Sequence, residues 1–273
     1  MRGLFVTGTD TDVGKSVLGA ALLATMAAAG ERVRAHKPVL TGLDERGRGD
    51  CSQPAAVGRW PADHELLGAA AGMPPEEVAP LRYGPAVSPH LAAAMAGEHI
   101  DPARLLAAGF AAASAGTVIV EGVGGLLTPL ADSYTVCDFA LALGLPVLIA
   151  ARPGLGTINH TLLTVAVARA AGLELRAVVL TPWPSRPSRL ERSNRETIAR
   201  MAWVEVEGLP RVHQPHPGAL ARAAERLPWR RWLGRDRPRT AAGSQDTPAR
   251  AASTTAAVTL ARSGSSMTYG GIV

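Results

Sequence analysis

Gly8-Thr9-Asp10-Thr11-Asp12-Val13-Gly14-Lys15-Ser16 follows a short apolar run, Leu4-Phe5-Val6, and precedes an alanine- and leucine-rich stretch over residues 16–29. Read as strand, loop and helix, this is the context in which a phosphate-binding loop works. Backbone amides at a helix N-terminus point at an anion, and the helix dipole favours negative charge there. Gly14 lets the backbone approach phosphate oxygens, Lys15 reaches the β- and γ-phosphates, and the Ser16 hydroxyl suits Mg2+. The spacing departs from the strict pattern, because five residues separate Gly8 from Gly14 and Thr9 stands where the first glycine is usual. The plain alternative is a strand-to-helix turn capped by Thr or Asp. Gly-Lys-Ser opening a helix after a buried strand argues against it.

Working outward, Gly30 marks the end of that helix, as glycine does just past a C-terminus. Residues 32–35 read as a second strand leading into Lys37-Pro38-Val39. Residues 117–120 are continuous and β-branched, as in a parallel strand buried on both faces. Residues 147–150 give another strand, followed by a helix over 158–171 closed by Gly172. A strand over 175–180 and a helix over 188–201 complete the alternation. Strands alternating with helices predict an α/β fold: a doubly wound, mostly parallel sheet of the P-loop NTPase type, flanked by helices. Ligands then gather at the carboxyl ends of the strands. Past Gly234 the chain turns to Arg, Ala, Ser and Thr with little to bury. The reading is one domain over 1–233 and a disordered tail over 234–273.

A chain of 273 residues, 47% hydrophobic and 19% charged, is long enough for a proper core and is neither fibrous nor disordered overall. The net charge of +5 is unevenly placed: residues 1–207 carry 18 basic and 20 acidic groups, and residues 208–273 carry 10 and 3. The basicity therefore lies in the C-terminal quarter and says little about the body, and no nucleic-acid partner is expected. Of 28 basic residues, 26 are arginine, and only Lys15 and Lys37 are lysine. The two side chains are near-equivalent on a solvated surface but differ where a compact point charge meets phosphate. Cys51 and Cys137 are too few for a disulfide framework or a zinc cluster, and read as free thiols of a reducing compartment. The first apolar run is too short for a signal peptide. The longest, 140–151, is broken by Gly144 and Pro146 and falls short of the ~20 residues of a membrane span. A cytoplasmic protein with no membrane partner is expected.

Two acidic residues are candidate metal ligands. Glu121 leaves the strand at 117–120 and enters Gly122-Val123-Gly124-Gly125, where a carboxylate can hold Mg2+ opposite the phosphates or be an ordinary loop glutamate. Asp63 precedes a helical stretch at 66–71 and could equally cap it. Lys37, at a strand end in Lys37-Pro38-Val39-Leu40-Thr41-Gly42, is placed to stabilise charge developing on a phosphoryl or carbonyl oxygen. His36, His64, His99, His213 and His216 show no metal-ligand spacing, and capping or loop support explains His90 and His160 as readily as chemistry does.

Taken in order, GTDTDVGKS at 8–16, HKPVLTG at 36–42, SPH at 88–90, VEGVGGLLTPL at 120–130 and LPVLIAARPGLGTINHTLLT at 145–164 resemble the dethiobiotin synthetase family. The resemblance spans residues 3–212. It implies a homodimer that binds ATP, Mg2+, CO2 and 7,8-diaminopelargonate and closes a ureido ring through a carbamate and a carbamic-phosphoric anhydride. It implies that Lys37 and Lys15 are catalytic and that Ser16, Asp63 and Glu121 hold magnesium. Nucleotide contacts fall on Asp12, Val13, Gly14, Lys15, Ser16, Val17, Asp63, Glu121, Gly122, Val123, Gly124, Thr181 and Pro210. Substrate contacts fall on Thr11, Lys37, Thr41, Gly156 and Asn159, the last two at a helix start that binds the substrate carboxylate across the dimer interface. The family commonly has an adenine-reading asparagine where this chain has Thr181, which implies a looser nucleotide preference. The arginine-rich end has no counterpart in the family pattern.

Two other readings share the fold. A partitioning-type ATPase would carry a second lysine early in the phosphate loop, and positions 8–14 contain none. A cobyrinate-type amidotransferase synthetase would need a glutaminase domain, for which no length remains.

Overall fold

The strand read at residues 4–6 runs over Gly3–Gly8 (β1) and enters α1 (Lys15–Ala28) in the computed structural model, which describes residues 1–44 and 60–234. The chain continues through β2 (Val33–His36), β3 (Val39–Leu40), α2 (Asp63–Ala71), α3 (Pro75–Val78), β4 (Leu81–Arg82), α4 (Pro89–Met95) and α5 (Pro102–Ser114). It then forms β5 (Thr117–Gly125), the small hairpin β6 (Pro129–Ala131) and β7 (Tyr134–Thr135), and α6 (Val136–Leu143). The last third alternates as β8 (Val147–Ala151), α7 (Thr157–Ala170), β9 (Leu175–Trp183), α8 (Arg189–Ala202) and β10 (Glu205–Pro210), and closes with α9 (Pro217–Ala224) and α10 (Trp229–Trp232). The readings that fall on Cys51 and on the tail from residue 235 lie outside the described residues.

Six strands form one sheet in the order β10-β9-β8-β1-β5-β2, and every neighbouring pair is parallel. The crossover from β1 passes over β5 to β2, and the chain later returns on the other side of β1 through β8. The loop after β1 therefore opens at the point where the winding reverses, the place where doubly wound sheets bind ligands.

Alternate residues of each strand feed opposite faces. Leu4 and Val6 of β1, with Ile119 of β5 and Leu148 of β8, pack against α1, where Leu18 and Leu22 are fully buried. Phe5, Val118, Val120 and Ile149 face the other cluster, with Phe139 and Leu143 of α6. Both faces being covered is why these strands read as unbroken apolar runs. The α1 face is closed from the C-terminal side by Trp229 and Trp232, only 3% and 1% exposed, so these tryptophans belong to the core. Truncating a side chain as enclosed as Leu22 to alanine would cost roughly 2–5 kcal/mol.

Candidate active site

All six residues of β1 are buried, which anchors the start of the phosphate loop. The loop turns through Asp12 (φ 55°) and Gly14 (φ 89°), both in the left-handed region. Gly14 is the N-cap of α1 and supplies no side-chain acceptor, so the first amides of that helix are left for a ligand. Nothing larger than glycine fits there, because a Cβ would stand 2.6 Å from Thr181 Cγ2. Lys15, 7% exposed, donates from Nζ to the Asp10 carbonyl at 2.8 Å. Burial lowers its pKa, against the pull of Glu121.

The second lysine lies one residue beyond β2, its backbone held by an N–H bond to Val78 O at 2.8 Å. Lys37 Nζ donates to Glu121 Oε1 at 2.5 Å and to Asp63 Oδ2 at 2.9 Å. Ser16 Oγ donates to the same Glu121 oxygen at 2.8 Å. Lys37 is 4% exposed and Glu121 is fully buried. Burial alone would lower the Lys37 pKa, but the carboxylates of Glu121 and Asp63 outweigh it and hold the group charged. An ammonium held that firmly neutralises charge and does not serve as a base.

The structure gives both acidic residues a different local setting from the one the sequence suggested. Glu121 is not in a turn, since β5 continues through it to Gly125 and sets it beside Val6 of β1. Asp63 does not cap α2. It is the first helical residue, behind an Ala62 N-cap whose N–H donates to Glu65 Oε2 at 2.6 Å, and its carboxylate turns to Lys37 instead.

Thr11, Asp12, Gly14, Lys15, Ser16, Val17, Lys37, Thr41, Asp63, Val123 and Gly124 all line one cleft of about 820 Å³. Val13 has its side chain in the core, and Gly122 is buried where a Cβ would meet Val136 and Phe5. Thr181 packs on Gly14 behind the cleft, with its side chain 3% exposed. Pro210, Gly156 and Asn159 are exposed and do not line this cleft. Gly156, with φ 87°, is the N-cap of α7 and gives no side-chain cap, while the Thr157 N–H donates to Gly154 O at 3.3 Å.

The wall also includes Ser88, Pro89, Thr128 and Trp60, none of them among the expected site residues. Ser88 and Thr128 had a signal, the motifs at 88–90 and 120–130; Trp60 is a loop residue with none. Of the histidines, His216 caps α9 by accepting from the Ala219 N–H at 3.2 Å. His36 is 2% exposed and driven down to about pKa 4 by burial. Cys137 is a buried free thiol.

A divalent cation suits the donor set. Ser16, Glu121 and Asp63 supply one hydroxyl and two carboxylates, all hard oxygen donors of the kind Mg2+ takes with waters and phosphate oxygens. Glu121 Oε2 is buried with no hydrogen-bond partner among the described residues, as an oxygen reserved for such a ligand would be.

A family model described as an AAA domain matches residues 2–214. The chain is 42% identical over 221 residues to the ATP-dependent dethiobiotin synthetase of Anaeromyxobacter sp. (strain Fw109-5), covering 75% of this chain and 91% of that protein. It is 34% identical over 211 residues to the enzyme of that name from Bacillus subtilis (strain 168), covering 77% and 87%. The corresponding protein of Rhodococcus jostii (strain RHA1) is 36% identical over 216 residues, covering 76% and 85%.

Proposed function

The chain belongs to the family of ATP-dependent dethiobiotin synthetases, ligases of biotin synthesis, and from that premise we propose that it closes the ureido ring of dethiobiotin from 7,8-diaminopelargonate, CO2 and ATP. One amine adds to CO2, forming an N–C bond and losing a proton, to give a carbamate. A carbamate oxygen attacks the γ-phosphorus, the bond to the β,γ-bridging oxygen breaks, and ADP leaves with that electron pair. The second amine attacks the carbonyl carbon of the mixed anhydride, loses a proton, and phosphate departs as the ring closes.

The observation that carries this reading is the buried ammonium of Lys37, held between Glu121 and Asp63 in the wall of the cleft that the phosphate loop opens. Such a reaction asks the protein for positioning and charge neutralisation more than for covalent chemistry. Lys37 supplies a fixed positive charge against the carbamate and the transferring phosphoryl. Lys15 leaves the Asp10 carbonyl for the phosphates, and the amides of residues 12–17 cradle them. Thr11 and Thr41 bind the diamine side. Ser16, Asp63 and Glu121 would hold Mg2+, which when bound neutralises phosphate charge.

Gly156 and Asn159 act in this reading on the carboxylate of a substrate in a second copy's cleft, which makes the working unit a homodimer. The 92% exposure of Leu155 beside them fits a surface that such a partner covers. Thr181 and Pro210 border the nucleotide base. Because Thr181 is spent on packing against Gly14, base selection is weak and other nucleoside triphosphates support turnover. No helix among the described residues is long and apolar enough to cross a membrane, and the reaction is assigned to the cytoplasm. Incubation with the diamine, ATP, Mg2+ and labelled bicarbonate tests the proposal. Acid-stable label in a ureido product is expected, and ATP hydrolysis that ignores the diamine would overturn it.

A further inference from the structure

We propose that Arg152 is a third catalytic cation of this site, which exchanges a backbone carbonyl for an anionic oxygen of the transferring phosphoryl group; the assignment rests on the ring-closing reading above. Arg152 follows β8, whose end lies beside the phosphate loop: Gly8 pairs with Ala150, and Thr9 N–H donates to Ala150 O at 3.0 Å. From there its guanidinium reaches across the loop and donates through Nη2 to Thr11 O at 3.2 Å. Lys15 Nζ rests on the preceding carbonyl, that of Asp10, at 2.8 Å. Two cations from different parts of the chain thus sit on consecutive carbonyls at the tip of one loop.

A single neutral carbonyl is a poor match for a guanidinium, which has five donors in a fork shaped for anions. Arg152 forms no ion pair among the described residues, although Asp10 and Asp12 flank the carbonyl it uses. Its side chain is exposed, and Thr11 lines the cleft with Lys37 and Thr41. An anionic group adds the attraction of opposite charges and can accept two parallel N–H bonds from the fork where the carbonyl takes one, so a bound anion draws the guanidinium off the carbonyl. The segment that presents it is held firmly. Pro153 is buried, and the side chain of Asn194, 5% exposed on α8, donates from Nδ2 to Pro153 O at 2.9 Å and to Gly154 O at 3.0 Å.

The test compares wild type with Arg152→Gln, which keeps a donor for the Thr11 carbonyl but no charge, and Arg152→Lys, which keeps charge without the fork. Turnover is measured with saturating diamine, and Kd is measured by calorimetry for ADP and for a non-hydrolysable ATP analogue. Arg152→Gln should lower kcat about a hundredfold, as loss of one charge-stabilising donor does. It should weaken the triphosphate analogue about tenfold while leaving ADP within about twofold, with part of the turnover restored in Arg152→Lys. A kcat within about threefold of wild type, or equal weakening of ADP and the analogue, would mark a brace for the loop and overturn the assignment. If wild type makes no ureido product, the ring-closing reading fails, and the ratio of analogue to ADP affinity still decides for or against Arg152 as a cation for the terminal phosphate.

Discussion

Replacing Lys37 by methionine keeps the length of the side chain and removes its charge. The structure sets the size of the effect. Lys37 is 4% exposed, Glu121 is fully buried, and they meet at 2.5 Å with Asp63 at 2.9 Å from the same nitrogen. Removing one member of a buried pair typically costs about 3–5 kcal/mol, because the other charge is stranded. Glu121 has one escape, which is to take up a proton. For a carboxyl of ordinary pKa near 4.3 that costs about 3.7 kcal/mol at pH 7, so the loss should lie close to 3–4 kcal/mol. Adding Glu121→Gln removes the stranded charge, and the double variant should recover about 2 kcal/mol, within the usual range for residues in contact. Urea unfolding in the presence of a chelator measures this, provided the slope of stability against denaturant is unchanged. A Lys37→Met variant within about 1 kcal/mol of wild type, or a double variant no more stable than the single, would refute the buried ion pair. Turnover should vanish in Lys37→Met and also in Lys37→Arg, whose planar fork cannot replace a point contact to two carboxylates, while nucleotide binding persists in the arginine variant. Near-normal activity of Lys37→Arg would strip Lys37 of its catalytic role.

Gly14→Ala should weaken ATP binding and cost about 1–3 kcal/mol, from the left-handed backbone and from a Cβ at 2.6 Å to Thr181 Cγ2. Thr181→Ser in the same chain should return only the steric share, and an unaltered ATP affinity for Gly14→Ala, read by calorimetry, would mean that the loop is looser than described. His36 has a folded pKa of about 4, held down by burial, and its Nε2 has no partner among the described residues. The unfolded chain, at an ordinary value near 6.5, takes the proton first, so this stability is complete above that pH and is lost as pH falls toward 4. Wild type should lose about 2 kcal/mol between pH 7.5 and 5 that His36→Leu does not lose, and equal losses in chemical unfolding at the two pH values would remove His36 from the account.

Much of this was legible in the chain because the informative features are local. The phosphate loop, the β-branched strand at 117–120 and the helix stops at Gly30 and Gly172 each declare themselves within a few residues. What escaped is what tertiary pairing decides. β10 alternates Glu205, Val206 and Glu207 as an edge strand can, with Val206 and Leu209 feeding opposite faces, and offered no apolar run to read. Glycines at 122, 124 and 125 suggested a turn, whereas β5 runs through them: its pairing with β1 slips after Glu121 and resumes where Gly125 meets Gly8. The choice for Asp63 between cap and charge partner turned on Lys37, 26 residues away. The contact of Thr181 with Gly14 joins opposite ends of the domain and leaves no trace in either neighbourhood.

The central claim is that a carbamate oxygen, and not water, attacks the terminal phosphorus of ATP beside Lys37. Single-turnover reaction with the diamine, Mg-ATP and CO2 labelled in both positions with heavy oxygen, followed by mass analysis of the released phosphate, tests it directly. Phosphate carrying one heavy oxygen, matched by one in the ureido carbonyl, is the result predicted. Phosphate whose new oxygen comes only from solvent would contradict it.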